Sequence, residues 1–554
     1  MTDILRKSLN LLLKRQTNIL SAAFVIMATV VLSQVLGVVR ERLLFSIFGP
    51  SNLLGIYSYS FTIPDILFQL TIGAALSSAF IPVFSEYLIK GKEQEAHKIA
   101  SALLTLTLAM FFIVSVILII FAPSILKIFN LGSKFSESQI ILMASLLRIV
   151  IFGQMIFIIG TFFSAVLQSY NHFFVPGIAA ACYNMGVILG ILLLHSHFGI
   201  YSAPFGVILG AIIFVVVQVP MAHKLGFSFV PTWEYIKSAG VKKILRLTWP
   251  RTLQHAIFQF GTLATLIIIA FLDNPGRMRV LFDASKTLAF APVTLFGVSI
   301  AQAAFPILSR EKDNMSDFRS TFLSSFNQML YIILPISAII LVLRIPIVRL
   351  AYGADAFDWN ATLLTGRTLA FLSISIFAQA LIQLVNRGFY ALQSTKTPLV
   401  VGTFTTAILI VLTYTFVVVQ RMGLENVALA FTISSIIQLT ILFILLDYKT
   451  GGFPKKELII TGLKFFFATL FTGFALYIPI KLLDQLVFDT TRTINLIILT
   501  GISSLAGLSL YIFLTWLFNI KEASMYILLF KKVGNWREIL NKTDEVIDGN
   551  RVNP

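Results

Sequence analysis

A single cysteine, Cys182, occurs among the 554 residues. No disulfide can form within one chain, and a metal site built on thiolates is excluded. Cys182 lies in a hydrophobic run and reads as a small buried apolar side chain. Charge is also scarce. Asp, Glu, Lys and Arg make up 12% of the chain, about half the share found in soluble proteins. The six histidines (97, 172, 195, 197, 223 and 255) fall mostly in loops or at the ends of apolar runs, where solvation is expected rather than metal ligation. No HExxH, GxSxG or P-loop pattern is present, and no carboxylate pair falls in a plausible cleft. The chain is therefore read as not an enzyme, with no catalytic residue, no metal and no cofactor. A soluble basic face with interleaved aromatics is missing too, which removes nucleic acid as a partner.

Hydrocarbon is abundant. The chain is 57% hydrophobic, with a mean hydropathy of +0.89. Runs such as FFIVSVILII, GVILGAIIFVVVQV and IILPISAIILVLRI are long enough to cross about 30 Å of hydrocarbon. Backbone groups in lipid must be satisfied internally, and apolar runs of this length do that as helices. The expected fold is an all-α polytopic membrane protein with about fourteen spans. They centre on 18–38, 54–87, 99–126, 140–168, 174–195, 199–222, 247–272, 281–308, 321–350, 362–391, 398–419, 424–446, 457–481 and 493–518. The formal charge of +17 sorts to one side of the membrane when both termini are cytoplasmic, through Lys90, Lys92, Lys98, Lys237, Lys242, Lys243, Lys455, Lys456, Lys531 and Lys532 among others. That basic side also attracts anionic lipids. Residues 1–17 read as a basic amphipathic segment on the inner surface rather than a cleaved signal peptide. Trp233, Trp249, Trp359 and Trp516 fall near span ends, as an interfacial belt does.

The chain contains an internal repeat. GAALSSAFIPVFS (73–85) recurs as GVSIAQAAFPILS (297–309), and Leu167-Gln168-Ser169 recurs as Leu392-Gln393-Ser394, at offsets of about 224 positions. Gln34 corresponds to Gln259 at a similar offset. Two six-helix pseudo-symmetric lobes follow: an N-lobe over 18–222 and a C-lobe over 247–446, joined by a cytoplasmic linker at 223–246. Two further spans occupy 457–518, and a cytoplasmic tail runs over 519–554. Pro64 and Pro82 in span 2, and Pro292 and Pro306 in span 8, interrupt the same two spans of each copy. They are candidate hinges for rocking helices, or kinks that serve packing alone.

Charges inside spans are costly and usually face a cavity. Arg40, Glu41 and Arg42 close span 1, Asp65 follows Pro64, Arg148 lies in span 4, Arg251 in span 7, Arg367 in span 10 and Lys464 in span 13. Asp283 and Lys286 lie one turn apart in span 8. The set is mostly basic, which suits an anionic substrate such as a diphosphate. Arg251 and Lys464 read as snorkelling side chains. Asp65 reads equally as a helix cap or a cavity group, and Asp283 with Lys286 equally as an intrahelical pair or as substrate contacts.

Several segments together resemble a known family. LSQVLGVVRERLLFSIFG in span 1, FTIPDILFQLTIGAALSSAFIPVFSEYL in span 2, FFVPGIAAACYNMGVILGILLL in span 5, FAPVTLFGVSIAQAAFPILS in span 8 and NRGFYALQSTKTPLV at spans 10–11 are similar to the MviN/MurJ lipid II flippases of the multidrug/oligosaccharidyl-lipid/polysaccharide exporter superfamily. The resemblance implies transport of undecaprenyl-diphosphate-linked peptidoglycan precursor from the inner to the outer leaflet by alternating access. It also implies a basic central cavity and a lipid-tail groove made by spans 13 and 14. The expected setting is the bacterial cytoplasmic membrane, with a monomer that associates with cell-wall synthesis machinery and is driven by membrane potential. Part of the family's cavity charge is replaced here. Its span 1 arginine after serine is Gln34, its span 2 acid falls at Gly55, its span 2 arginine pair at Phe68-Gln69, and its span 8 acid–arginine pair at Lys286-Thr287. Arg40-Glu41 retains the arginine–acid pair. Arg40 and Lys286 are thus the expected diphosphate contacts. Gln34, Gln69 and Gln259 are the expected sugar or peptide contacts, with Arg42, Asp65 and Asp283 beside them. The alternatives are a flippase for another polyprenyl-linked glycan, or a cation-coupled drug antiporter of the same fold. The antiporter would need an acidic cavity, and this set is net basic. A membrane glycosyltransferase or scaffold would need acidic metal ligands in a loop, and AYGADAFDWN is a single short loop.

Overall fold

The computed structural model describes residues 19–73, 79–132, 134–354, 356–486 and 493–523. The 1–17 segment, most of the 519–554 tail, positions 74–78 of the repeated block and the side chain of Arg251 lie outside the described residues. Every regular element among the described residues is helical, and fourteen spans are assembled from them. Most are long, apolar helices, the form in which a backbone satisfies its own hydrogen bonds in lipid. Span 1 is Ile19–Phe48, span 3 Glu93–Ile120, span 4 Glu137–Ser169, span 5 Phe174–Phe198 and span 6 Ser202–Lys224. Span 7 is Ala239–Ile269, span 9 Met315–Val342, span 10 Trp359–Ala391, span 11 Lys396–Tyr414 and span 12 Glu425–Lys449. Spans 13 and 14 are Lys455–Leu486 and Thr493–Leu517. The chain is a multi-pass membrane protein.

Spans 2 and 8 are each broken. Span 2 runs as Asn52–Phe68, a π-helical stretch Gln69–Gly73, and a second helix Ile81–Ile89. Span 8 runs as Pro275–Pro292, a π-helical stretch Val293–Val298, and Ser299–Arg310. The two π stretches begin 224 positions apart, so the repeat extends to the backbone irregularity itself. Pro64 lies in the helix before the first stretch and Pro292 is the last residue before the second. Pro82 opens the second helix of span 2, and Pro306 lies inside the last helix of span 8. A third π stretch, Thr415–Val419, ends span 11.

Spans 4 and 10 are both 33 residues long and start 222 positions apart. Each begins at a side-chain cap: Ser136 accepts from the Gln139 N–H, and Asp358 from the Ala361 N–H. Each ends in the same way. Asn171 and Gln393 take positive φ (62° and 56°), and the next residue donates back across the last turn, His172 to Leu167 and Ser394 to Phe389. This corrects one sequence match. Leu167-Gln168-Ser169 lies within span 4, whereas Leu392-Gln393-Ser394 follows the end of span 10. The triplets are out of structural register by nearly one turn.

The chain divides into two compact units between Phe260 and Gly261, inside span 7. The expected linker is partly ordered onto the first unit. The Val230 and Thr232 N–H groups donate to the Ser101 and Thr105 hydroxyls of span 3. Lys243 pairs with Glu86, whose other oxygen takes Lys90. Ser238 caps the next helix at the Val241 N–H. A helix therefore begins at Ala239, before the first expected residue of span 7, because Ser238 caps it and Glu86 of span 2 holds Lys243 in its first turns.

Within the first unit, spans 5 and 6 pack backbone to backbone. Gly186 and Gly190 face Gly206 and Gly210, two small-xxx-small pairs. A Cβ on Gly186 would stand 2.6 Å from the Gly210 Cα, and one on Gly206 2.8 Å from the Val187 carbonyl oxygen. The second unit joins its equivalent pair differently: Ser434 of span 12 donates to the Thr405 carbonyl of span 11, 2.7 Å. Spans 13 and 14 close on each other at Gly507 against Leu476. They attach to span 9 through Tyr331, which meets the Tyr511 ring at 5.5 Å and the Phe465 ring at 6.5 Å.

Near the start of span 10, Arg277 Nη2 reaches both oxygens of Asp358, at 2.8 and 3.0 Å. Burial pushes the Asp358 carboxyl up, but the Ala361 N–H and Arg277 outweigh it, and it titrates below its ordinary value. A depressed carboxyl stabilises the fold above its unfolded value, about 3.9, and that contribution is lost as pH falls through the folded value. In Arg277→Gln, detergent melting curves should show a loss near neutrality that fades toward about pH 3. The side chain of Asp358 is half exposed, so the loss should stay under about 1 kcal/mol. A pH-independent difference would refute the pairing. Gly206→Val should lower thermal stability by about 1–3 kcal/mol or more, since only backbone could move aside. Gly473→Ala, where a Cβ meets nothing within 4 Å, should be neutral or slightly stabilising in the same assay.

Candidate substrate site

In the first unit the apolar span 1 carries Arg40-Glu41-Arg42 near its end. Arg40 Nη2 pairs with Glu41 at 2.9 Å. Its Nη1 donates to Asn184 Oδ1 of span 5 at 3.0 Å. Asn184 is itself fixed, because its Nδ2 donates to the carbonyl and hydroxyl of Ser33, at 3.2 and 3.3 Å. One amide thus ties two turns of span 1 to span 5. Spans 1 and 5 can approach there because Gly177 faces Thr29 with no room for a side chain. The Thr29 hydroxyl is turned back to the Val25 carbonyl. A guanidinium has five N–H donors. Two are used, so Arg40 keeps donors for an anion, and about a quarter of its side-chain surface stays open.

A second group lies in the same unit. Gln69 Nε2 donates to Asp65 Oδ2 at 2.9 Å, and Gln259 Nε2 donates to Gln69 Oε1. Gln69 is the first residue of the π stretch, so the break in span 2 occurs where its side chain is tied to span 7. The helix runs on through Asp65, so the capping alternative for Asp65 is corrected. Its acceptor role is toward a side chain. Gln259 is buried. Gln34, its repeat counterpart, is exposed on span 1, and Arg42 is half-buried. The structure therefore brings together Arg40 with Glu41, and Asp65 with Gln69 and Gln259. It does not pair Gln34 with Gln259 in environment.

In the second unit Asp283 pairs with Arg279, four residues before it, at 2.9 Å. Lys286 lies 5.9 Å from the Phe290 ring centroid, a cation–π distance. Arg387 stands 5.5 Å from the Phe305 ring.

Other intramembrane cations are structural. Lys464 donates to the Phe518 carbonyl just past span 14, 2.6 Å. Arg148 donates to the Ile119 carbonyl at the end of span 3, 3.2 Å. Both serve the negative ends of neighbouring helices. Arg367 is exposed. Sequence reasoning missed Asn184, an uncharged amide with no local signal. It also missed Arg279, whose i,i+4 spacing to Asp283 was a usable one.

Comparison with known proteins places this arrangement. A family model described as lipid II flippase MurJ matches residues 44–496. The probable lipid II flippase MurJ of Buchnera aphidicola subsp. Baizongia pistaciae is 25% identical over 466 residues, covering 83% of this chain and 90% of that protein. That of Thermotoga maritima is 28% identical over 410 residues, covering 73% and 80%. The lipid II flippase MurJ of Burkholderia cenocepacia is 25% identical over 394 residues, covering 69% and 75%. Among solved structures, a lipid II flippase MurJ in an inward closed conformation superposes with a TM-score of 0.71 at 22% identity, covering 88% of this chain and 98% of the other. An inward-facing multidrug resistance MATE transporter superposes at 0.63 with 13% identity, covering 77% and 98%. These two likenesses concern the fold. With the family model spanning most of its length, this chain belongs to the MurJ lipid II flippase family.

Proposed function

We propose that this chain moves lipid II, the undecaprenyl-diphosphate-linked peptidoglycan precursor, from the inner to the outer leaflet of the bacterial cytoplasmic membrane. The observation that carries the reading is the MurJ family match over residues 44–496. Arg40 supports it chemically. It is a cation inside a span, held by one carboxylate and one neutral amide, with donors left for a diphosphate oxygen. Lys286 is the second proposed contact, and Gln69 and Gln259 the proposed sugar or peptide contacts. The Arg40 charge and the substrate's own charge let membrane potential drive the cycle. Both termini are cytoplasmic in this reading, on the strength of the Lys and Arg bias. The four prolines and the two matched π stretches are the proposed flexing points of spans 2 and 8. π stretches inside α-helices recur at functional sites. The drug-antiporter alternative is not favoured: the MATE likeness is one of fold, and the charged set here is mostly basic.

Depletion of the native flippase in a bacterium, with this chain expressed in its place, is the direct test. Growth without lysis and outer-leaflet appearance of labelled lipid II are expected. Lysis despite good membrane expression would reject the function. Within that assay Arg40→Ala should abolish rescue, because a charge-assisted hydrogen bond contributes about 1.5–3 kcal/mol. Asn184→Leu should weaken rescue while Arg40 remains, since the amide holds the guanidinium and ties span 1 to span 5. Full activity of Arg40→Ala would remove it from the site.

A further inference from the structure

The second unit has a cavity that lies outside the residues discussed above. It holds about 730 Å³ and lies where span 9 begins, span 13 begins and span 14 has just ended. That volume is within the range of small-molecule sites. One wall is the first half of span 9, which presents Arg319, Ser320 and Asn327. They lie one, one and three turns into a helix whose first half is largely polar and whose second half is apolar. The facing wall carries Glu457, Lys521 and Glu522. The loop between them is rigidly held. Arg319 Nη1 donates to the Gly451 and Gly452 carbonyls, at 3.2 and 2.9 Å. The Phe453 N–H donates to the Asp447 carboxylate, and the Phe453 ring stacks on Phe322 at 5.3 Å.

The charges balance: two cations and two carboxylates. A diphosphate would meet the carboxylates unfavourably, and a bare cation would meet Arg319 and Lys521. A zwitterion carrying a phosphate and an amine satisfies both pairs. Beyond Glu457, the flank of span 13 nearest its face turns apolar and exposed, at Ile460, Phe467 and Phe471. That surface continues from the cavity along the helix, as acyl chains leaving a bound headgroup would. We propose that this cavity binds the headgroup of an ethanolamine-type glycerophospholipid, its phosphate toward Arg319 and Lys521 and its ammonium toward Glu457 and Glu522, with Ser320 and Asn327 as neutral partners. The site is separate from the Arg40 cluster, and it stands or falls independently of lipid II transport.

The test is lipid retention by the purified full chain, read by native mass spectrometry against phosphatidylethanolamine, phosphatidylcholine, phosphatidylglycerol and inorganic phosphate. Phosphatidylethanolamine should be retained best, because choline has no N–H for the carboxylates and the glycerol headgroup has no cation. Asn327→Leu and Glu522→Gln should each lower its retention about tenfold while leaving the melting temperature unchanged. Arg319 is left intact because it also holds the loop. Ser320→Leu, which fills the cavity without touching those bonds, provides a second folded variant. Equal retention of the three lipids, retention unaffected by all three variants, or competition by inorganic phosphate alone would overturn the proposal.

Discussion

A polar group in hydrocarbon has to find its partner inside the protein, and this one constraint organises the chain. It is why the spans are helices. It also accounts for many of the hydroxyls. Thr71 donates to the Leu67 carbonyl, Thr105 to Ser101, Thr413 to Leu409 and Thr472 to Ala468, each one turn back. Charged side chains obey the same rule by a longer reach. Lys464 and Arg148 spend their hydrogen-bonding capacity on the ends of neighbouring helices, where carbonyls lack intrahelical partners. A cation in a span is therefore no sign of a cavity until its partners are known.

Arg40 differs from these in the kind of partner it has. Lys464 and Arg148 bond backbone carbonyls near helix ends. Arg40 bonds an amide and a neighbouring carboxylate, and the amide is anchored independently by Ser33. The arrangement fixes the guanidinium in place without consuming it. The Asp65–Gln69–Gln259 chain is of another sort. It links spans 2 and 7 through neutral amides at the point where span 2 leaves α-helical geometry.

The spans and the duplication were legible in the sequence because hydropathy and small-residue spacing are local signals. Register was less so. Spans 4 and 10 match at 222 positions, while the glycines that end spans 6 and 12, Gly226 and Gly451, lie 225 apart. Loop residues inserted between helices shift the offset, and a triplet such as Leu-Gln-Ser carries too little information to detect the shift. The start of span 7 was hidden for a different reason. Residues 239–246 are basic and look like a linker, yet Glu86 and Ser238 hold them as helix. Asn184 could not be read at all, since its role exists only where span 5 meets span 1. The prolines were visible in spans 2 and 8, but the π stretches beside them are a backbone property that no residue type announces.

The two copies have also diverged in what holds their fifth and sixth spans. In the first, four glycines let two backbones touch, and no side chain of any kind fits between them. In the second, a serine hydroxyl bridges the gap to a threonine's carbonyl, a bond that several small polar residues could make. Since each copy began from the same sequence, mutational drift has since met two different filters. One pair of helices is locked to a single residue type at four positions, while its duplicate is free to explore. Variation accumulating over evolutionary time should therefore be uneven between the lobes, and its unevenness is a property of packing rather than of transport.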